Sequence, residues 1–169
     1  MKTITRSKKF AATGATALFA VALLAATAFA ATSPDQTRET YVTAVEPICK
    51  TNTKSNEQIL SGVRKKIQKG QLSVAAGQFA KASTAFGKAV KQIKAVPQPV
   101  ADGAKLGKWI GYLETETKML GEISKALKAN QKSKAQTLSV QLTRNGNQAN
   151  NSVLGFEFDY CLIDSSKFS

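Results

Sequence analysis

The stretch Gln71 to Val96, QLSVAAGQFAKASTAFGKAVKQIKAV, decides the fold class. Leu72, Phe79, Phe86 and Ile93 recur every seven residues, and Ala75, Ala82, Ala89 and Val96 follow three residues behind them. That spacing lines one face of an α-helix, whereas a half-buried strand would place apolar residues at alternate positions. Large residues alternating with small ones make the seam of a helix bundle. The helix has to stop at Pro97-Gln98-Pro99, because Pro97 lacks the amide hydrogen the ladder needs and pushes Val96 out of the α region.

Downstream, Leu106, Leu113, Leu120 and Leu127 form a second seven-residue series, widened by Trp109, Ile110, Ile123 and Ala126. This predicts a third helix from Val100 to Asn130, with Gly107 and Gly111 beside Trp109 admitting a close neighbour. Asn130-Gln131 reads as the turn. A fourth helix is expected from Lys132 to Ile163, with Ala135, Leu138, Leu142, Ala149, Val153, Phe156, Tyr160 and Ile163 on one face. Asn145 to Asn151 is poor in helix formers. The apolar spacing resumes in phase beyond it, so one continuous, locally soft helix is expected.

Upstream, Ser33-Pro34-Asp35 has the make-up of a helix start: a capping Ser, Pro at the first position and an acid in the first turn. Val42, Val45, Cys49, Ile59, Val63 and Ile67 are helically spaced, with Asn52 and Asn56 on the same stripe. Pro47 should kink this first helix near Thr43 to Pro47. Lys69-Gly70 ends it with a cation and a C-terminal glycine. Four helices with short connections predict an all-α, antiparallel up-down-up-down four-helix bundle over residues 31–169.

Residues 1–30 stand apart. Lys2, Arg6, Lys8 and Lys9 precede an uncharged run from Ala11 to Ala30, which ends in Ala28-Phe29-Ala30. A basic head, an apolar middle and an A-x-A exit describe a cleaved secretory signal peptide. The alternative is a retained membrane anchor, for which the run is about long enough. Removing thirty of the 169 residues leaves 139, enough for one domain with a real core. All eleven acids and twenty of the 24 basic residues remain, a balance that favours anionic partners without bearing on fold. Export to the cell envelope or beyond also places the only two cysteines, Cys49 and Cys161, in an oxidising setting. They are expected to pair and close a loop of 112 residues, which the chain-entropy account values at about 4–5 kcal/mol. One tension follows. With Cys49 opposite Cys161 in an antiparallel pair, Lys69 falls opposite Gln141, well inside helix four. The first helix therefore projects beyond the bundle, or the fourth breaks near Asn145; projection is the favoured reading.

The composition excludes much chemistry. No histidine is present, so Ser-His-Asp and Cys-His catalysis and histidine metal sites are out. Two distant cysteines make no zinc or haem motif, and no glycine pattern reads as a phosphate loop. No cofactor and no metal are expected. Glu114 and Glu116 are two apart on a helix and do not face each other. Glu157, Asp159 and Asp164 lack the spacing of a calcium loop and read as a solvated helix end.

One surface stands out: from Gln58 to Ala101 lie Arg64, Lys65, Lys66, Lys69, Lys81, Lys88, Lys91 and Lys94, with no acid between them. A hairpin of one charge sign suits an anionic cell-wall polymer or lipid head groups. Its aromatics, Phe79 and Phe86, belong to the seam, which argues against a base-stacking nucleic-acid platform. The amide-rich Asn52, Asn56, Asn145, Asn147, Gln148, Asn150 and Asn151 set helix register or line a small polar cavity.

The leader, the segment YVTAVEPICKTNT from Tyr41 with its Ile48-Cys49, and the closing LGFEFDYC together resemble small secreted bacterial helical proteins of unknown function. These carry one cysteine near the mature start and one near the C-terminus. The resemblance covers the two chain ends; it implies a terminal disulfide and supplies no activity. The leading functional expectation is a secreted, non-enzymatic envelope or extracellular protein that binds anions through its basic face. The alternative is a helical bundle holding a small ligand in its interior, near Trp109 or the asparagines.

Overall fold

The computed structural model describes residues 36–164. They belong to the unit Thr32–Ser169. The leader at 1–30 and the start expected at Ser33-Pro34-Asp35 lie outside the described residues.

The described chain is all-helical. Its helices are α1 (Arg38–Leu60), α2 (Val63–Gln68), α3 (Leu72–Ala95), α4 (Gly103–Lys128) and α5 (Lys132–Ser152). Short 3-10 turns cover Val100–Asp102 and Leu154–Phe156. No helix among the described residues is long and apolar enough to cross a membrane.

α1 starts where Thr37 and Thr40 cap it reciprocally, each side chain bonding the other's backbone amide. It runs on through Pro47 without ending. The single first helix expected to Lys69 is instead two. Ser61 leaves the helix and Gly62 adopts φ +67°, a left-handed value open to glycine at no steric cost. After the break α2 keeps Val63 buried and ends at Lys69-Gly70, as expected, with Gly70 at φ +74°.

α3 buries its predicted series from Leu72, Ala75, Phe79, Ala82, Phe86 and Ala89 to Ile93, while Val96 is half-buried and ends the helix in an extended conformation. Each large side chain removed from water there contributes about 1.5–3 kcal/mol. The alanines let α3 and α4 approach closely. Ser83 Oγ donates to the Thr117 carbonyl at 2.8 Å, and Ser124 Oγ to that of Ala76 at 2.7 Å. As the number rises on one helix it falls on the other, so this pair is antiparallel. A methyl group added at Gly87 would meet Thr117 Cγ2 at 3.1 Å. The close approach expected at Gly107 and Gly111 is not found; both are exposed, with nothing within 4 Å of an added Cβ.

α4 packs against both α3 and α5, and α1 against α3. α5 is continuous through Asn145-Gly146 because tertiary contacts offset weak propensity. Asn145 Nδ2 donates to the Tyr112 carbonyl at 2.9 Å, and Gly146 leaves room for Ile163. The fourth helix does not, however, reach Ile163. It ends at Ser152, and Glu157 turns the chain at φ +54°. The tail then doubles back, since Asn150 bonds both the amide and the carbonyl of Ile163, at 2.8 and 2.9 Å. Thirteen further residues of helix would have carried Ile163 about 20 Å away. This reversal removes the tension over Cys161: neither projection of the first helix nor a break at Asn145 is needed.

Candidate functional site

The tail is tied down at every step. Arg38 bonds Asp102 through Nε and Nη2, at 2.9 and 2.7 Å, and donates to the Gly155 carbonyl. Its guanidinium also lies 4.9 Å from the Phe156 ring centre. Asp102 is 4 % exposed, and the paired guanidinium holds its carboxyl below the usual range. Phe156 stacks on Phe158, and Phe158 on Trp109 at 5.3 Å. Glu46 accepts the amides of Asp159 and Tyr160. Cys49 and Cys161 form the expected disulfide, with Cα atoms 5.0 Å apart. A disulfide is compatible with an extracytoplasmic protein.

Held in this way, residues 159–164 form one wall of a cavity of about 290 Å³. α1 supplies Asn52 and Asn56, α3 supplies Phe86 and Ile93, and α4 supplies Trp109 and Glu116. The volume lies at the lower edge of the small-molecule range. Among the described residues, three on the wall carry buried polar atoms without a hydrogen-bond partner: Glu116 Oε2, Asn56 Oδ1 and Trp109 Nε1. Natural interiors satisfy nearly all such atoms, and each orphan costs about 1–3 kcal/mol.

Glu116 is the least expected member. It is 4 % exposed, and burial pushes its carboxyl up to about 8, a rise moderated by Asn145. In the sequence Glu116 stands out only beside Glu114, two residues away. The two do diverge: Glu114 pairs with Lys94 at 2.6 Å, while Glu116 enters the core. The overlooked signal is spacing. Glu116 falls in the run Leu106, Trp109, Leu113, Glu116, Leu120, Ile123, a carboxylate where a leucine belongs.

The amides divide. Asn52 Oδ1 accepts from Asn56 Nδ2 at the cavity, whereas Asn145 and Asn150 hold α5 to α4 and to the tail. Asn147, Gln148 and Asn151 are exposed. Tyr160, expected on the buried face of helix four, is instead exposed, with Lys50 Nζ 4.7 Å from its ring centre. Among the described residues no group of three or more acids or cysteines gathers to hold a metal ion.

Of the eight predicted cations, Arg64, Lys65, Lys69, Lys81, Lys88, Lys91 and Lys94 are exposed. Lys66 is half-buried and bonds Gln78 at 3.0 Å. Lys81 and Lys88 lie nearly in line along α3, but Lys91 and Lys94 turn away in successive steps of about 60°.

The chain matches no known protein family, no curated protein and no solved structure.

Proposed function

We propose that the protein is a non-enzymatic binding protein that takes one small organic molecule into the cavity between α1, α3, α4 and the C-terminal tail. The observation that carries this reading is the set of unpartnered polar atoms on Glu116, Asn56 and Trp109 around one space. A guest with matching groups satisfies them; an apolar core of the same shape would not need them. Several further elements belong to the proposal: export after removal of residues 1–30, an antiparallel up-down-up-down arrangement of the four long helices, and kinship with small secreted bacterial helical proteins. The leader's pattern supports the first, as does the disulfide; the opposed register of α3 and α4 supports the second. The absence of histidine from the sequence supports a non-catalytic role.

A screen of small amphiphiles tests the reading, because Trp109 is the only tryptophan and lines the cavity. At least one compound should give a saturable change in its fluorescence and raise Tm. A cavity that holds only water gives neither result across the screen.

The exposed Arg64, Lys65, Lys69, Lys81, Lys88 and Lys91 favour a second reading, in which the outer face binds an anionic polymer or lipid surface. Anionic vesicles added to the same screen should then bind at low salt and release as salt screens the charges. No binding at low salt removes this reading.

A further inference from the structure

The charges around the cavity oppose those of the chain. The sequence carries 24 basic residues against eleven acidic ones. Yet the acids lining the cavity are the buried Glu116 and, exposed at its rim, Asp159 and Asp164, and among the described residues that line it none is Lys or Arg. Two buried aromatic rings, Phe86 and Trp109, share the wall, while the exposed Tyr160 ring already holds Lys50. Acceptor oxygens and ring faces attract positive charge and repel negative charge. Lys50 Nζ lies 4.7 Å from the exposed Tyr160 ring, so the buried Glu116 and Trp109, rather than the exposed rim, set the preference of the cavity. A metal ion does not fit, since no three acids gather closely enough among the described residues. The positive charge has to arrive on a body large and apolar enough to fill the space beside Leu113, Leu120 and Ile93.

We propose that the ligand is a small organic cation, an ammonium group on an apolar body, seated with its charge toward Glu116. This rests on the cavity-binding reading above and names its ligand class. Among the described residues Glu116 Oε2 has no hydrogen-bond partner, and an ammonium N–H supplies the donor it lacks. A charge-assisted hydrogen bond of this kind is about twice as strong as a neutral one. Burial holds the empty-state carboxyl protonated near neutral pH; an arriving cation favours its ionised form. Asp159 and Asp164, from the tail, are the other acids on the cavity wall, and α1 and α3 contribute none.

The test is calorimetric titration of the oxidised protein with 2-phenylethylammonium, 2-phenylethanol and phenylacetate, which share a ring and differ in head group. Hexylammonium and hexanol repeat the comparison without the ring. The ammonium member of each set should bind about tenfold or more tighter than the alcohol, with phenylacetate weakest. Glu116→Gln should bring ammonium and alcohol to within about threefold of each other. Equal or tighter binding of the alcohols overturns the cation and leaves the cavity reading standing. So does a cation preference that survives Glu116→Gln. Silence from all five compounds overturns the cation, and a silent amphiphile screen as well removes the cavity reading.

Discussion

Glu116 shows how one residue sets both the character of the site and its cost. Its neighbours along the seam are leucines and isoleucine, and the core would pack without a carboxyl there. Burial raises its pKa from an ordinary 4.5 to about 8. Between those values the folded chain binds more protons than the unfolded one, so stability falls as pH rises from about 4.5 to about 8. Below that window the contribution is fully present. The loss across the window is on the order of a few kcal/mol. Glu116→Gln keeps the shape and removes the charge, so it should flatten this alkaline-side decline. Urea midpoints at pH 5, 6.5 and 8 read it directly; an unchanged slope in the variant would contradict the burial argument. Asp102 acts in the opposite sense. Arg38 holds its carboxyl low, so its contribution is present at neutral pH and lost on acidification.

At the scale of elements, propensity and packing disagree in two places, with opposite outcomes. Ser61-Gly62 breaks the first helix although the apolar stripe runs through it. Asn145-Gly146 does not break α5 although its residues are poor helix formers. The difference lies in surroundings: Gly62 has nothing within 4 Å of an added Cβ, whereas Gly146 meets Ile163 Cγ2 at 3.0 Å. Backbone conformation alone decides at Gly62, and tertiary contact at Gly146. Gly62→Ala should therefore cost about 1 kcal/mol, because alanine has to adopt a left-handed φ. Gly107→Ala, on an exposed helical face with open space, should add about 0.5–1 kcal/mol. Chemical denaturation of the two variants beside wild type checks the pair; a gain at Gly62 would undo the assignment of its strain. The seven-residue series of α3 and α4 were legible because a helix face repeats with the chain. The end of α5 was not, because Val153, Phe156 and Ile163 keep helical spacing while serving a reversed tail.

Across the molecule, the tail closes what the helices leave open. α1 and α5 touch little among the described residues; Phe156, Phe158 and Cys161 are buried in the tail that runs between them. The disulfide spans 112 residues, and its loss should cost about 2–5 kcal/mol. Because Phe158 stacks on Trp109, reduction should also shift Trp109 fluorescence before global unfolding. Equal denaturation midpoints and identical spectra with and without reductant would show that the tail stays in place by contacts alone. The sequence by itself determined the helical class, the seam residues, the turns at Pro97 and Asn130, and the only available cysteine pairing. Each of these is a local rhythm or a unique count, readable along the chain. The tertiary structure alone decided the reversal after Ser152 and the acid-lined cavity. A cavity is a matter of distances among four separate segments, and no periodicity within one segment records how near the others come.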